Sequence, residues 1–437
     1  MGPTGTVIFA SPGLLSVLTR RGVLAALCGT LAGCQVPGDG STDATTPGPT
    51  GDVPARYWYP HPRRTGNRTL AGSGNLREAR PMTIPHERPV WLVALPAPGG
   101  DGSDWVVVSA DGTADRYRVA DGEVTHVAGY DPLPDQVPVV RQTETGVDLV
   151  RSSRAISPMA PPAFADDGQT RLALGTDGDL LVTRGESTDR VDVGGLPDGR
   201  IVRVGEDRFA LLGAATDRYR HGALGDDLEG GRLVVVDATG RVQARQSVGP
   251  PAVIEAQAPL VGDLGADSPV LVVPVSDSAD GARIAAFSPD GTRIATGPIH
   301  GSGWRHPLAI APLGPDGQQE LAVVRKPHVE HVLELYRLDG TLSVRATLAG
   351  FRSHTYGSRQ LDGALAADLD GDGAVELLVP TTPRDELAAV RRREGGVETA
   401  WTLGLGGGLR TNLTGVAFDD GVAVGAGTTD GVRVWQG

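Results

Sequence analysis

Two cysteines, one lysine, three asparagines and an aromatic share of 4% are the scarcities of this 437-residue sequence. Both cysteines, Cys28 and Cys34, fall within the first 34 residues, so the chain beyond them has no internal disulfide and must be held by packing and ions. So few aromatic rings leave no platform for stacking bases. Lys326 is the only lysine among 40 basic residues, against 53 acidic ones, and the net charge is −13. That field repels a phosphate backbone and an anionic lipid surface, which excludes nucleic acid as a partner. The apolar run from Gly22 to Gly33 is short: at 1.5 Å per residue it reaches about 18 Å, against a hydrocarbon core of roughly 30 Å. Beyond residue 55 no stretch keeps a helical apolar period for three turns, which excludes a body built on long helices.

Glycine and proline are abundant, with 62 and 33 residues, and 40% of the chain is hydrophobic, enough for a sizeable core. Short β-branched runs alternate with tight turns, as in hairpins. Four hairpins, 234–242, 284–294, 333–342 and 387–397, turn at Gly240, Gly291, Gly340 and Gly395, about fifty residues apart. A second element keeps the same phase upstream: an acidic, glycine-containing loop leading into an apolar run, at Asp263–Asp267, Leu313–Gly317 and Asp368–Gly373. Two hairpins per period make a four-stranded sheet that cannot cover both its faces alone, so neighbours must stack. The expected fold is an all-β propeller of about seven four-stranded blades, beginning near residues 92, 161, 200, 257, 306, 362 and 415. The last segment is short, so a strand from between Tyr57 and Leu92 is expected to complete the last sheet and close the ring. An open solenoid and a pair of β-sandwiches are the structural rivals.

The first 55 residues read as an address. Arg20-Arg21 before a short apolar run resembles a twin-arginine export signal, and Leu31-Ala32-Gly33-Cys34 resembles a lipobox, cut before a cysteine that carries a lipid. The resemblance implies a signal peptide over 1–33, lipidation at Cys34, a flexible tether over 34–55 and a folded body over 56–437. It places a monomer on the extracellular face of the cytoplasmic membrane, held by its lipid alone. Lysine-poor acidity is similar to that of proteins secreted by halophilic archaea; an arginine-favouring, GC-rich genome is the other explanation. Asn67 and Asn412 lie in N-x-T sequons, which marks them as glycosylation candidates.

Asp368-Leu369-Asp370-Gly371-Asp372-Gly373-Ala374-Val375-Glu376 carries the most chemistry. Alternating aspartates, a glycine for the bend and a ninth-position carboxylate can surround a hard cation with oxygen. The expected ligands of one structural Ca²⁺ are the carboxylates of Asp368, Asp370, Asp372 and Glu376, with the Ala374 carbonyl and water. Val379 at the twelfth position, and a strand where a helix would follow, exclude an EF-hand. The loop resembles the calcium loop of FG-GAP and VCBS repeats, found in integrin-type propellers, and that resemblance implies adhesion or recognition. The copies at 263–271 and 312–320 keep two carboxylates each, too few to hold calcium well.

Other motifs are bland. His328-Val329-Glu330-His331 lacks the helical spacing of a metalloprotease motif, Gly404–Gly408 lacks the strand–helix frame of a phosphate loop, and Gly301–Gly303 is no hydrolase elbow. The six tryptophans share no position in the repeat, which argues against a quinone enzyme. The insertion Arg218–Gly231 suggests a long loop on one face, with no assignable role. The expectation is a non-enzymatic binding or scaffold propeller for a surface polysaccharide or a protein, with no catalytic residues named. A polysaccharide lyase or glycosidase on the same fold is the alternative.

Overall fold

The computed structural model describes residues 55–437, except 101, 419 and 420. Residues from Asp52 onward form one compact unit. Its sheets follow from the repeat. Apolar runs such as Val106–Val108, Val234–Val236 and Val270–Val273 are buried along their length, because they lie between two neighbouring sheets. The fourth strands, such as Ser187–Asp192 and Thr341–Ala349, are polar and largely exposed, as outer edges must be. Turn glycines 240, 291 and 340 all have positive φ. At Gly240 a side chain would also strike Val182 of the neighbouring sheet, 2.9 Å away. The fourth hairpin differs slightly, since the positive φ falls on Gly396 rather than Gly395.

Among the described residues there are eight sheets. Blade 1 spans Pro89–Tyr130 and blade 3 Ala163–Asp192. Blades 4, 5 and 6 span Val202–Ser247, Val253–Thr296 and Arg305–Ala349. Blade 7 spans Leu365–Gly404 and blade 8 Leu413–Gln436. These seven match the expected starts. The eighth sheet, blade 2, corrects the count. Its two local strands, Val140–Gln142 and Val147–Leu149, are three residues each, and its third strand is Arg56–Trp58, from far upstream. A sheet assembled from distant pieces leaves no fifty-residue period to read. Arg56–Trp58 is its inner strand: Tyr57 stacks on Phe164 of blade 3, ring centroids 3.6 Å apart, and Trp58 packs against Val93 and Leu95 of blade 1.

An apolar cluster fills each junction between blades, including blade 8 on blade 1, where Val416, Ala423 and Val434 meet Leu92, Trp105 and Val107. The ring is thus closed by packing. Burial of each such side chain contributes about 1.5–3 kcal/mol. Met82–Ile84 pairs antiparallel with Gly431–Gln436 at the edge of blade 8. Between blade 2 and this strand the chain crosses the ring's centre. Thr69–Ser73 runs parallel to the first strand of blade 7, Thr65 accepts a hydrogen bond from Val261 N–H, and Arg64 accepts one from Arg203 N–H. The propeller's channel is therefore filled by its own upstream segment.

Candidate functional site

Antiparallel order sorts the loops by face. Loops joining first to second strands open on one face; those joining second to third strands, or one blade to the next, open on the other. The acidic loop 368–376 belongs to the first set and lies in blade 7. Asp368, Asp370 and Glu376 each place a carboxylate oxygen within 4.8 Å of the others. Asp372 turns away, accepting from Ala374 N–H at 3.0 Å and pairing with the Arg391 guanidinium. Asp368 organises the bend, accepting from Gly371 N–H at 2.9 Å, Gly373 N–H at 3.1 Å and the Ser73 hydroxyl at 2.6 Å. Glu376 closes the loop by accepting from Leu369 N–H at 2.9 Å. Arg391 lies 3.6 Å from Asp370 and 3.1 Å from Glu376. Asp370 Oδ1 is buried without a hydrogen-bond donor, and Glu376 Oε1 has only the Arg391 guanidinium beside it. Burial, with the charges of Asp370 and Asp372, pushes the Glu376 carboxyl up to about 7. One hard, donorless oxygen beside two further carboxylates offers ligands to a divalent cation, which would have to displace Arg391 from Glu376. What the motif could not reveal is Arg391, a built-in cation from the third strand.

The opposite face holds a cleft of about 430 Å³. Its floor is Trp304, fully buried, whose indole N–H donates to the Glu255 carbonyl at 2.8 Å. Its walls are His221, Lys326 and His328, with Tyr356 and Val329 exposed at the rim. The Arg218–Gly231 insertion supplies His221 and meets the 350–364 loop: Tyr356 donates to the His221 carbonyl at 2.6 Å, and Gly357 N–H to that of Ala223 at 3.0 Å. His221 pairs with buried Glu255, which raises the imidazole's affinity for its proton. His328 and His354 face each other at 3.3 Å, and His306 stacks on Trp304. Burial and nearby arginines hold His328 down to about 4 and His354 to about 3, so both are neutral at pH 7. The sequence pairs His328 with His331, whereas the fold pairs it with His354 across a loop; no local spacing signals that.

Beneath the cleft, at the channel's centre, Asp362 bridges Arg68 at 3.0 Å and Arg200 at 2.5 Å, and about 40 Å³ of space remains beside them. The sequons are corrected here. The Asn67 amide is buried, donating to the Ile310 carbonyl at 2.8 Å and accepting from its N–H at 2.9 Å. The Asn412 amide is fully buried, bonded to both backbone groups of Leu92 and to the Pro60 carbonyl. Both side chains splice the channel segment and ring closure in place of ladder bonds, and neither nitrogen is open to a glycan. The signal region, Cys34 and most of the tether lie outside the described residues.

No family model matches the sequence, and no curated protein matches it. Solved structures similar to this chain include BamB from Moraxella catarrhalis, at 15% identity and TM-score 0.45, covering 82% of this chain and 98% of that one. BBS1N, crystallised in complex with ARL6DN, is similar at 12% identity and TM-score 0.45, covering 85% and 97%. The β-propeller domain of Cps50 (Swd1) from Myceliophteria thermophila follows at 12% and 0.43, covering 82% and 98%.

Proposed function

We propose that this chain is a non-enzymatic binding or scaffold propeller, displayed at the outer face of the cytoplasmic membrane by a lipid on Cys34. Its ligand is a surface polysaccharide or a protein. In this reading Met82–Ile84 latches the ring, the body is monomeric, and one Ca²⁺ sits on Asp368, Asp370 and Glu376 as a structural clamp. The observation that carries the binding role is the filled channel: the chain's own residues occupy the axis, so a ligand docks on the outside, where the loop-face cleft is one concavity. A glycan-array and pull-down screen with the full chain tests it. Saturable capture of one glycan class or one protein without turnover is expected; turnover of the captured glycan would overturn it.

A glycosidase or lyase is the second reading, favoured by one pair of buried carboxyls. Burial and the charges of Glu255, Asp198 and Asp226 push Glu229 up to about 10, so it keeps its proton at neutral pH. Glu255 accepts from the Ser276 hydroxyl and pairs with His221. A carboxyl that keeps its proton at neutral pH is what the general acid of a glycosidase needs. Release of reducing ends or unsaturated uronates that is lost in Glu229→Gln would favour this reading.

A further inference from the structure

Among the described residues, several arginines are matched by buried carboxylates and many others have none; one group of the second kind lies beside the cleft. Arg68 and Arg200 share Asp362, Arg337 and Arg392 share Glu320, Arg325 reaches Glu330 and Glu334, and Arg391 reaches three loop carboxylates. A chain with a charge of −13 has carboxylates to spare. Yet among the described residues Arg352, Arg384 and Arg410 have no carboxylate within ion-pair distance. All three lie in loops of the cleft's face: 350–364, 381–385 and 405–412.

They also repel one another. Burial and the charges of Arg352 and Arg410 pull the Arg384 guanidinium down to about 10. Its polar contact is a donation to the Thr355 hydroxyl at 2.5 Å; its Nε, like that of Arg352, is buried without an acceptor. The Arg384 backbone is held at φ 80°, in the left-handed region that side chains seldom adopt. An unpaired, mutually repelling set of guanidiniums lowers stability when empty, and an anion seated on it would relieve that cost. Next to it stands Tyr356, 56% exposed, whose ring is open for stacking against a sugar. The neighbouring His328 and His354 bring no competing negative charge.

We propose that the loop face binds an acidic polysaccharide, a carboxylate or sulfate of the glycan seated on Arg352 and Arg384 and its ring against Tyr356, at the edge of the cleft bounded by His221, Lys326 and His328. This rests on the binding role proposed above and names its ligand class. Guanidinium forks match planar carboxylates and sulfates in two-point contact, which an ammonium cannot do. Neutral sugars would leave the arginines uncompensated.

The test titrates the full chain with oligogalacturonate, a sulfated galactan, a neutral glucan and inorganic sulfate, followed by calorimetry. Expected are saturable binding of at least one acidic glycan, none of the glucan, and inorganic sulfate at least tenfold weaker than the glycan. Arg384→Gln and Arg352→Gln should each weaken acidic-glycan binding about tenfold or more, the loss of one charge-assisted hydrogen bond. Tyr356→Ser, exposed enough to leave folding intact, should weaken it several-fold, and Arg293→Gln in blade 5 should leave it unchanged. Equal binding of glucan, sulfate as tight as the glycan, or unchanged affinity in both arginine variants would each overturn the proposal. Capture of a neutral glycan or a protein, unaffected by these variants, would retain the binding role and remove only the acidic ligand. Turnover of the glycan would remove the binding role instead.

Discussion

Replacing Asp362 with Leu tests whether the upstream segment is fastened into the channel by charge. The Asp362 carboxylate is buried between Arg68, on that segment, and Arg200, in the connection from blade 3 to blade 4. Arg68 also donates to the Leu308 carbonyl at 2.7 Å, so it cannot swing to solvent without losing a second bond. Removing the carboxylate leaves two buried guanidiniums uncompensated, a cost of about 3–5 kcal/mol. For a body of roughly 380 residues, with an unfolding entropy near 2.1 cal/mol/K per residue, that lowers Tm by about 4–6 °C. Differential scanning calorimetry at pH 7 reads it directly. The two arginines hold the Asp362 carboxyl far below its ordinary value. A depressed folded value means that the contribution is complete above about pH 4 and is lost as pH falls further. The difference between wild type and variant should therefore stay constant from neutrality to about pH 5 and shrink only in acid. The apolar triple variant Arg68→Met, Asp362→Leu, Arg200→Met should recover most of the loss. A Tm change under about 1 °C, or a gap that closes between pH 8 and 5, would refute the reasoning.

Other perturbations follow from the same geometry. Glu376 is raised to about 7, above its ordinary 4.5, so the folded state holds the proton more tightly and calcium-free stability should fall by about 2–3 kcal/mol as pH rises from 5 to 8. Calcium, binding the ionised carboxylate, should remove that fall and raise Tm, and Asp370→Ala should abolish the gain; no calcium-dependent shift in low-salt buffer would refute the site. Gly425 faces Trp105 at the junction of blades 8 and 1, where a methyl would come within 2.2 Å of the indole, so Gly425→Ala should cost about 1–3 kcal/mol in urea unfolding. Asn412→Ala should cost about 1–3 kcal/mol by leaving Leu92 and Pro60 backbone groups unpaired, and intact mass from a glycosylating host should show no glycan at either sequon.

The repeat was legible because every blade that is contiguous in sequence must present the same inner-run, turn and edge pattern. Seven starts were found that way, and the turn glycines marked the third-to-fourth strand hairpins. Blade 2 was hidden since Arg56–Trp58 and Val140–Leu149 meet only in space. The acidic loop was visible as a motif, but not its counter-charge Arg391, fifteen residues on from Glu376 on a strand whose register brings it back. The sequons misled for a related reason. A three-letter pattern carries no burial, and asparagine is also the residue whose amide can imitate a backbone ladder pair, as Asn67 and Asn412 do. The cleft was invisible: four loops, distant in sequence, supply it, and sequence proximity offered His331 as the partner of His328 instead of His354.

The two ninth-position glutamates argue for where a cation belongs. Glu320 and Glu376 occupy the same place in consecutive blades, and both are fully buried. Glu320 meets two guanidiniums, Arg337 at 2.7 Å and Arg392 at 3.2 Å, and its loop has Pro312 and Gly314 where Asp368 and Asp370 stand. That loop is neutralised from within and has no use for an ion. Around Glu376 a single guanidinium is shared by three carboxylates, Asp368 stands beside them, and Asp370 Oδ1 has no donor. Loss of the aspartates and gain of a second arginine are thus alternative ways to settle one buried charge. If the proposed calcium follows this balance, Asp316→Ala will leave the calcium-induced rise in Tm intact while Asp370→Ala removes it. An equal loss in both variants would place the ion elsewhere.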